Sequence, residues 1–160
     1  MSKETFVKIC DVLDSKSVAF EHFTHEHVHT SEDAAKIRGN TLDQAAKAIV
    51  IRVKNREGKH DFIQCVLPGS RKIKMKVLKK LIDARSVSLA TPEEVLEVTD
   101  CTIGSVPPFG PLLGLKTLVD RNVLLNEFIY FSAGTHYDSI KVKAADFVEL
   151  FDFVIEDFSF

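Results

Sequence analysis

The stretch Gly104-Ser105-Val106-Pro107-Pro108-Phe109-Gly110 constrains this chain more than any other. Adjacent prolines fix φ at two positions, remove two backbone donors and push Val106 toward an extended conformation. Flanking glycines permit φ values that other residues avoid. The segment therefore reads as a stiff, shaped loop with unpaired carbonyls. Such a loop is costly unless something is held against its backbone. Two further segments accompany it. Lys47 stands in Gln44-Ala45-Ala46-Lys47-Ala48-Ile49-Val50-Ile51, directly before a strand pattern, and Phe131-Ser132-Ala133-Gly134-Thr135-His136 ends another strand.

The remainder reads as many short strands interspersed with helices. Phe6, Ile9, Cys10 and Leu13 follow helical spacing, predicting a helix over 3–15. Residues 18–23 suit a short strand. Thr30 lies three residues before Asp33, with Gly39 as a stop, which predicts a capped helix. A helical turn from Thr41 or Asp43 is expected to run through Lys47. Residues 48–54 and 61–67 form a hairpin around the turn 55–58. Residues 71–83 read as a helix with Ile73, Val77, Leu78 and Leu81 on one face, and 87–89 as a strand. Thr91-Pro92-Glu93-Glu94 starts another helix. Strands are expected over 116–120, 128–131 and 139–142, then a helix over 143–150 and an edge strand within 151–160. No strict βαβ repeat and no G-x-G-x-x-G appear. The fold class is α+β: one domain spanning 1–160, with one mixed, curled, barrel-like sheet surrounded by helices.

A chain of 160 residues with 45% apolar content suits one domain with a proper core. A net charge of −2 is not the overall signature of a nucleic-acid-binding protein, so any RNA contact must be a local patch. Arg71, Lys72, Lys74, Lys76, Lys79 and Lys80 supply one, and no acid occurs between positions 69 and 82. A solvated helix face is the default for such residues; their unbalanced charge favours weak contact with an RNA backbone, and Arg71, Lys72, Lys74 and Lys76 are the tRNA-binding candidates. Cys10, Cys65 and Cys101 are far apart, with no C-x-x-C, and read as buried reduced thiols. No apolar run approaches membrane-spanning length, and the opening Met-Ser-Lys-Glu-Thr suits an amphipathic segment rather than a signal peptide, so a cytoplasmic setting is expected.

The lysine before an apolar strand, the G-x-x-x-P loop from Gly104 to Pro108 and the late small-residue-glycine segment resemble, in order and spacing, the YbaK/proline-tRNA-synthetase-associated editing domain. The resemblance covers about residues 15–150. It implies a free-standing hydrolase that removes a small wrong amino acid from mischarged tRNA, most of all tRNA for proline. An aminoacyl-tRNA synthetase is a further partner, and no cofactor or metal is implied. A non-catalytic tRNA- or synthetase-binding module on the same fold is the alternative.

The candidate catalytic residues are Lys47, Gly104, Ser105, Val106 and Pro108. A half-buried lysine can bind a phosphate as a point charge or orient a carbonyl, although most lysines are simply solvated. An ester hydrolase must also stabilise an oxyanion. Pro107 and Pro108 lack N–H groups, so donors must come from Gly104, Ser105 or Val106; a tight turn joining strands is the plainer reading of the loop. Gly134 and His136 are substrate-binding candidates, with His136 placed to meet a carbonyl, a ribose hydroxyl or water, or else to sit at the surface. A histidine here resembles the synthetase-embedded domains and departs from the free-standing members that remove cysteine. His22, His25, His27 and His29 cluster. On a strand the last three would share a face, yet no cysteine completes a zinc set. A polar rim, with His25 a substrate contact, is the preferred reading. No G-x-S-x-G or activated cysteine is present. In proteins of this type the tRNA's own hydroxyl or an ordered water is the nucleophile.

Overall fold

The computed structural model describes residues 2–27 and 30–160; His29 of the histidine cluster lies outside them. Among the described residues, eight strands and five α-helices make an α+β domain. Helix α1 (Ser2–Ser15) turns Phe6, Ile9 and Leu13 inward, as their spacing predicts. Strand β1 (Phe20–Thr24) follows. Helix α2 (Ser31–Arg38) is capped by the Thr30 hydroxyl, which accepts from the Asp33 amide at 3.0 Å, and stops at Gly39 in the left-handed region. Strands β2 (Ala46–Lys54) and β3 (His60–Pro68) form the hairpin, with the Asn55 side chain accepting from the amides of Glu57 and Lys59 across the turn. Helix α3 (Met75–Leu81), strand β4 (Ser86–Leu89) and helix α4 (Pro92–Thr99) come next; Thr91 and Glu94 complete a reciprocal cap on α4. Strands β5 (Lys116–Asp120), β6 (Phe128–Ser132) and β7 (Asp138–Lys143), the short α5 (Ala144–Phe147) and strand β8 (Val154–Glu156) finish the fold.

The expected single curled sheet is two sheets. One is antiparallel, ordered β1-β7-β6; the other is mixed, ordered β4-β2-β3-β5-β8, with β5 parallel to both its neighbours. They meet where the Tyr130 amide donates to the Gln44 carbonyl at 2.9 Å, beside a bridge between Ala45 and Tyr130. Helix α3 is also shorter than its sequence period. Residues 71–74 are extended because the C-terminal segment pairs with them. Lys72 and Phe160 exchange backbone hydrogen bonds, and Lys74 N donates to Phe158 O at 2.7 Å. That segment is held in turn by buried Asp120, whose carboxylate accepts from the amides of Phe158 and Asn122. Burial works to raise the Asp120 pKa, but these hydrogen bonds outweigh it and hold the carboxyl below its usual range.

The largest core cluster joins α1, the three-stranded sheet and α5. Phe109, at the end of the double-proline loop, is fully buried within it, with ring centroids 5.5 Å from Phe131 and 5.8 Å from Phe151. Burying such a ring contributes about 1.5–3 kcal/mol, so the loop is anchored by a core side chain. No helix among the described residues is long and apolar enough to cross a membrane.

Candidate active site

Strand β2 is paired along its whole length with β3, but β4 joins its other side only at residues 51–54. Tyr130 bridges that side at Ala45, and the Ala90 amide reaches the Val50 carbonyl at 3.1 Å. Between these points no strand covers the edge among the described residues. The Gly69 amide donates to the Ala45 carbonyl at 2.8 Å, so odd-numbered β2 residues turn their backbone groups toward β3. Ala46 and Ala48 therefore turn theirs toward the gap. A cavity of about 240 Å³ opens there. Ala45, Ala46, Ala48 and Val50 come from the strand edge, and Gly104 and Val106 from the proline loop. Tyr130 and Ser132 come from β6, and Arg38 and Ala34 from α2. Its lining contains no carboxylate, histidine or cysteine among the described residues.

Lys47 lines this cavity as the second residue of β2 rather than the end of a helical turn. Its Nζ donates to the Gly69 carbonyl at 3.3 Å. Burial lowers its pKa, and the neighbouring Lys72 charge lowers it further. No carboxylate lies within ion-pair distance among the described residues, so the ammonium keeps an unneutralised charge at the rim.

Gly104 has φ +89°, the left-handed region, and is the exposed start of a loop whose residues 105–110 are all buried. The expected unpaired carbonyls are in fact partly paired. Pro107 O accepts from buried Gln64 Nε2 at 2.9 Å, and Ser105 O accepts from the Gly134 amide at 2.9 Å. Gln64 Oε1 takes the Gly110 amide at 2.9 Å as well. One side chain on β3 thus fixes both ends of the turn after the prolines. Ser105 does not line the cavity: its amide donates to Thr102 O at 3.0 Å and its hydroxyl to the same carbonyl at 2.7 Å. Pro108 also stays behind the surface. Gly104 and Val106 are the loop residues that reach the cavity.

Gly134, His136 and His25 do not line it either. His136 Nε2 is 2.7 Å from the Thr102 hydroxyl, and its ring lies 4.4 Å from that of His27, so it braces the loop from outside. His25 Nδ1 faces the Glu26 carbonyl at 2.8 Å and so carries the proton. Nε2, 2.8 Å from the Ser139 hydroxyl, then accepts from it in the neutral ring. The Ser139 oxygen in turn accepts from Arg38 Nη1 at 3.3 Å. His25 thus touches the cavity indirectly. Strand β1 ends at Thr24, so His25 and His27 do not share a strand face, and His29 lies outside the described residues. His22 turns instead to Asp138 at 2.8 Å, and no three metal-binding side chains come together among the described residues.

The basic stretch stands partly apart. Arg71 is tied to Ser159, through Nε to the hydroxyl at 2.7 Å and Nη2 to the carbonyl at 3.1 Å. Lys72, Lys74 and Lys76 have no ion pair among the described residues, and Lys72 is near enough to Lys47 to act on it. Sequence reasoning missed Arg38, which reads as an ordinary cation at a helix C-terminus. It also missed Gln64, whose signal is a lone amide in an apolar strand.

The aminoacyl-tRNA editing domain model matches residues 25–150. The multifunctional Ser/Thr-tRNA deacylase ProXp-y of Escherichia coli (strain K12) is 33% identical over 148 residues, which cover 91% of this chain and 87% of that protein. A proline–tRNA ligase of Thermosipho melanesiensis is 23% identical over 134 residues, 83% of this chain but 23% of the ligase. A solved structure of a candidate trans-editing enzyme for prolyl tRNA synthetase has the same fold, with TM-score 0.78 at 20% identity over 98% of this chain and 97% of the other. The chain belongs to the aminoacyl-tRNA editing domain family.

Proposed function

We propose that this chain, acting in trans as one unit over 1–160, hydrolyses the ester between a small wrong amino acid and the 3′-terminal ribose of tRNA, with tRNA for proline as the favoured carrier. The observation that carries this reading is the cavity: an alanine floor, an uncovered strand edge and Gly104, with no carboxylate, histidine or thiol in its lining among the described residues. The two sheets form its barrel-like wall. Serine and threonine, in the name of the E. coli relative, suit such a floor, as do alanine, cysteine and 2-aminobutyrate. A fit to small side chains is how a second sieve selects. The cytosol, where charged tRNA circulates, is the compartment this implies.

In the reaction, water or the neighbouring ribose hydroxyl adds to the ester carbonyl. When water attacks, the acyl C–O bond breaks, the proton passes to the ribose oxygen and the amino acid leaves; when the hydroxyl attacks, the acyl group moves to it as a new ester, which water then cleaves in the same way. The Gly104 and Val106 amides are the oxyanion donors, since the Ser105 amide is occupied. Lys47 anchors an acceptor-end phosphate or orients the aminoacyl carbonyl with its unneutralised ammonium. Ser105, Pro108, Gly134 and His136 keep the loop rigid, and His25 orients Arg38. Arg71, Lys72, Lys74 and Lys76 form the tRNA-facing patch, with Arg71 holding the C-terminal segment in place.

The test is amino-acid release from tRNA charged with each of these residues, on tRNA for proline and on the cognate tRNAs. Release from at least one mischarged proline tRNA is expected. Binding without release from any of them would make the chain a non-catalytic module.

A further inference from the structure

We infer that Arg38 is a subsite for the phosphodiester of the substrate's 3′-terminal nucleotide, at the cavity mouth; this rests on the deacylase reading above. Arg38 is the last residue of α2, where a cation complements the helix dipole. That accounts for a positive charge, but not for its placement. The side chain is half-buried and lines the cavity, with the guanidinium carbon 6.0 Å from the Tyr130 ring centroid. Nε donates to Asn40 Oδ1 at 3.0 Å and Nη1 to Ser139 at 3.3 Å. Both partners are neutral. No carboxylate lies within ion-pair distance among the described residues, and burial lowers the Arg38 pKa to about 10. A partly desolvated guanidinium with only neutral partners gains from an anion that joins it.

The remaining donors are on Nη1 and Nη2. Nη2 makes no hydrogen bond among the described residues, where no buried side-chain nitrogen lacks a partner, so Nη2 opens to the cavity or to solvent. Nη1 and Nη2 together present the planar fork that suits phosphate. Asn40 and Ser139, the latter held by His25, fix its plane. The anion of an aminoacyl-tRNA acceptor end is its phosphodiester; the ester is neutral and the α-amino group, when charged, is cationic. The phosphate leading into the terminal ribose is the one nearest a seated aminoacyl group.

The experiment uses a minihelix whose amino acid is joined by an uncleavable amide. One form has the natural last phosphodiester and the other an uncharged methylphosphonate there. Wild type, Arg38→Gln and Arg38→Lys are compared by Kd, with thermal midpoints as the folding control. Wild type should lose roughly tenfold or more on the neutral linkage. Arg38→Gln should bind both forms equally and weakly. Arg38→Lys, which keeps the charge but not the fork, should fall between. Equal binding of both forms by wild type would overturn the subsite, as would undiminished discrimination by Arg38→Gln. Inorganic phosphate that erased the discrimination at concentrations matching the minihelix would make this a free-phosphate site and overturn the assignment. Turnover of an ester-linked minihelix is read separately. Arg38-dependent discrimination without hydrolysis would sink the deacylase reading while sustaining the subsite.

Discussion

Gln64 Nε2 donates to the Pro107 carbonyl at 2.9 Å, from a side chain with no exposure to solvent. The same amide's Oε1 receives the Gly110 N–H. The central strand of the larger sheet therefore dictates the shape of the loop that carries Gly104. Gln64→Leu would strand two buried backbone groups, each costing about 1–3 kcal/mol. The expected outcome is a clear fall in thermal midpoint together with a fall in kcat on the best substrate. A stable, fully active Gln64→Leu protein would show that the loop holds its own shape.

Gly110 is required for a different reason. A Cβ there would lie 1.8 Å from Thr117 Oγ1, inside any tolerable contact. Gly110→Ala should unfold or strongly destabilise the protein. Adding Thr117→Ala should restore part of the stability, because the next neighbours, Gln64 Oε1 at 3.0 Å and Leu115 O at 3.1 Å, are only tight. Chemical denaturation of the single and double variants checks this; an additive double mutant would contradict it.

Elements set by local rules were legible in the sequence. Thr30 and Gly39 bound α2, Thr91 and Glu94 cap α4, and Asn55 closes the hairpin, each through contacts within a few residues. Features decided by distant partners were not. The helical period of residues 71–74 gives way to pairing with the C-terminal segment, nearly ninety positions later in the bridge from Ile73 to Ser159. The division into two sheets depends on where β4 and β6 stop along β2, which no local pattern encodes. Lys47, Gly104 and Val106 do meet at one cavity, because the strand and the loop are each recognisable alone. The inward turn of Arg38 depends on Ser139 and Tyr130 arriving from the other end of the chain.

The thiols give a pH signature. Burial pushes Cys65 up to about 12, and burial first among several causes raises Cys10 and Cys101. Their folded pKa values lie above the unfolded value, so the unfolded chain loses these protons first. Their contribution to stability is complete below the ordinary thiol pKa, about 8.5, and is lost as pH rises from there toward the folded values. Urea midpoints should fall across that alkaline range, and Cys65→Ser should reduce the slope. Iodoacetamide should label native Cys65 far more slowly than the unfolded chain; equal rates would contradict its inert state.

Lys72 links the basic patch to the site. Replacing Lys72, Lys74 and Lys76 with Gln should weaken tRNA binding and flatten its log–log salt dependence, by about 0.7–0.9 for each phosphate no longer neutralised. Lys72→Gln alone should also raise the Lys47 pKa, since the Lys72 charge helps depress it. Fluorescence titrations across salt concentrations and NMR titration of the Lys47 ammonium read the two effects. An unchanged slope would mean these lysines are merely solvated.

Lys47→Ala should cut deacylation strongly with little change in thermal midpoint, because Lys47 contributes charge at the rim rather than core volume. Single-turnover rates with saturating enzyme separate this from weaker binding. Unchanged turnover would remove Lys47 from the site.

The central claim is that backbone groups, not a side-chain nucleophile, do the chemistry. Its most direct test is the turnover of Gly104→Val beside that of Ser132→Ala, the hydroxyl that β6 brings to the cavity. Valine cannot readily hold φ +89° and would fill the space where the ester meets the loop. With circular dichroism confirming folded protein, Gly104→Val should lose roughly a hundredfold or more, the scale of a missing oxyanion donor, while Ser132→Ala stays within a few-fold of wild type. An active Gly104→Val with a dead Ser132→Ala would contradict backbone catalysis and place the nucleophile on a side chain.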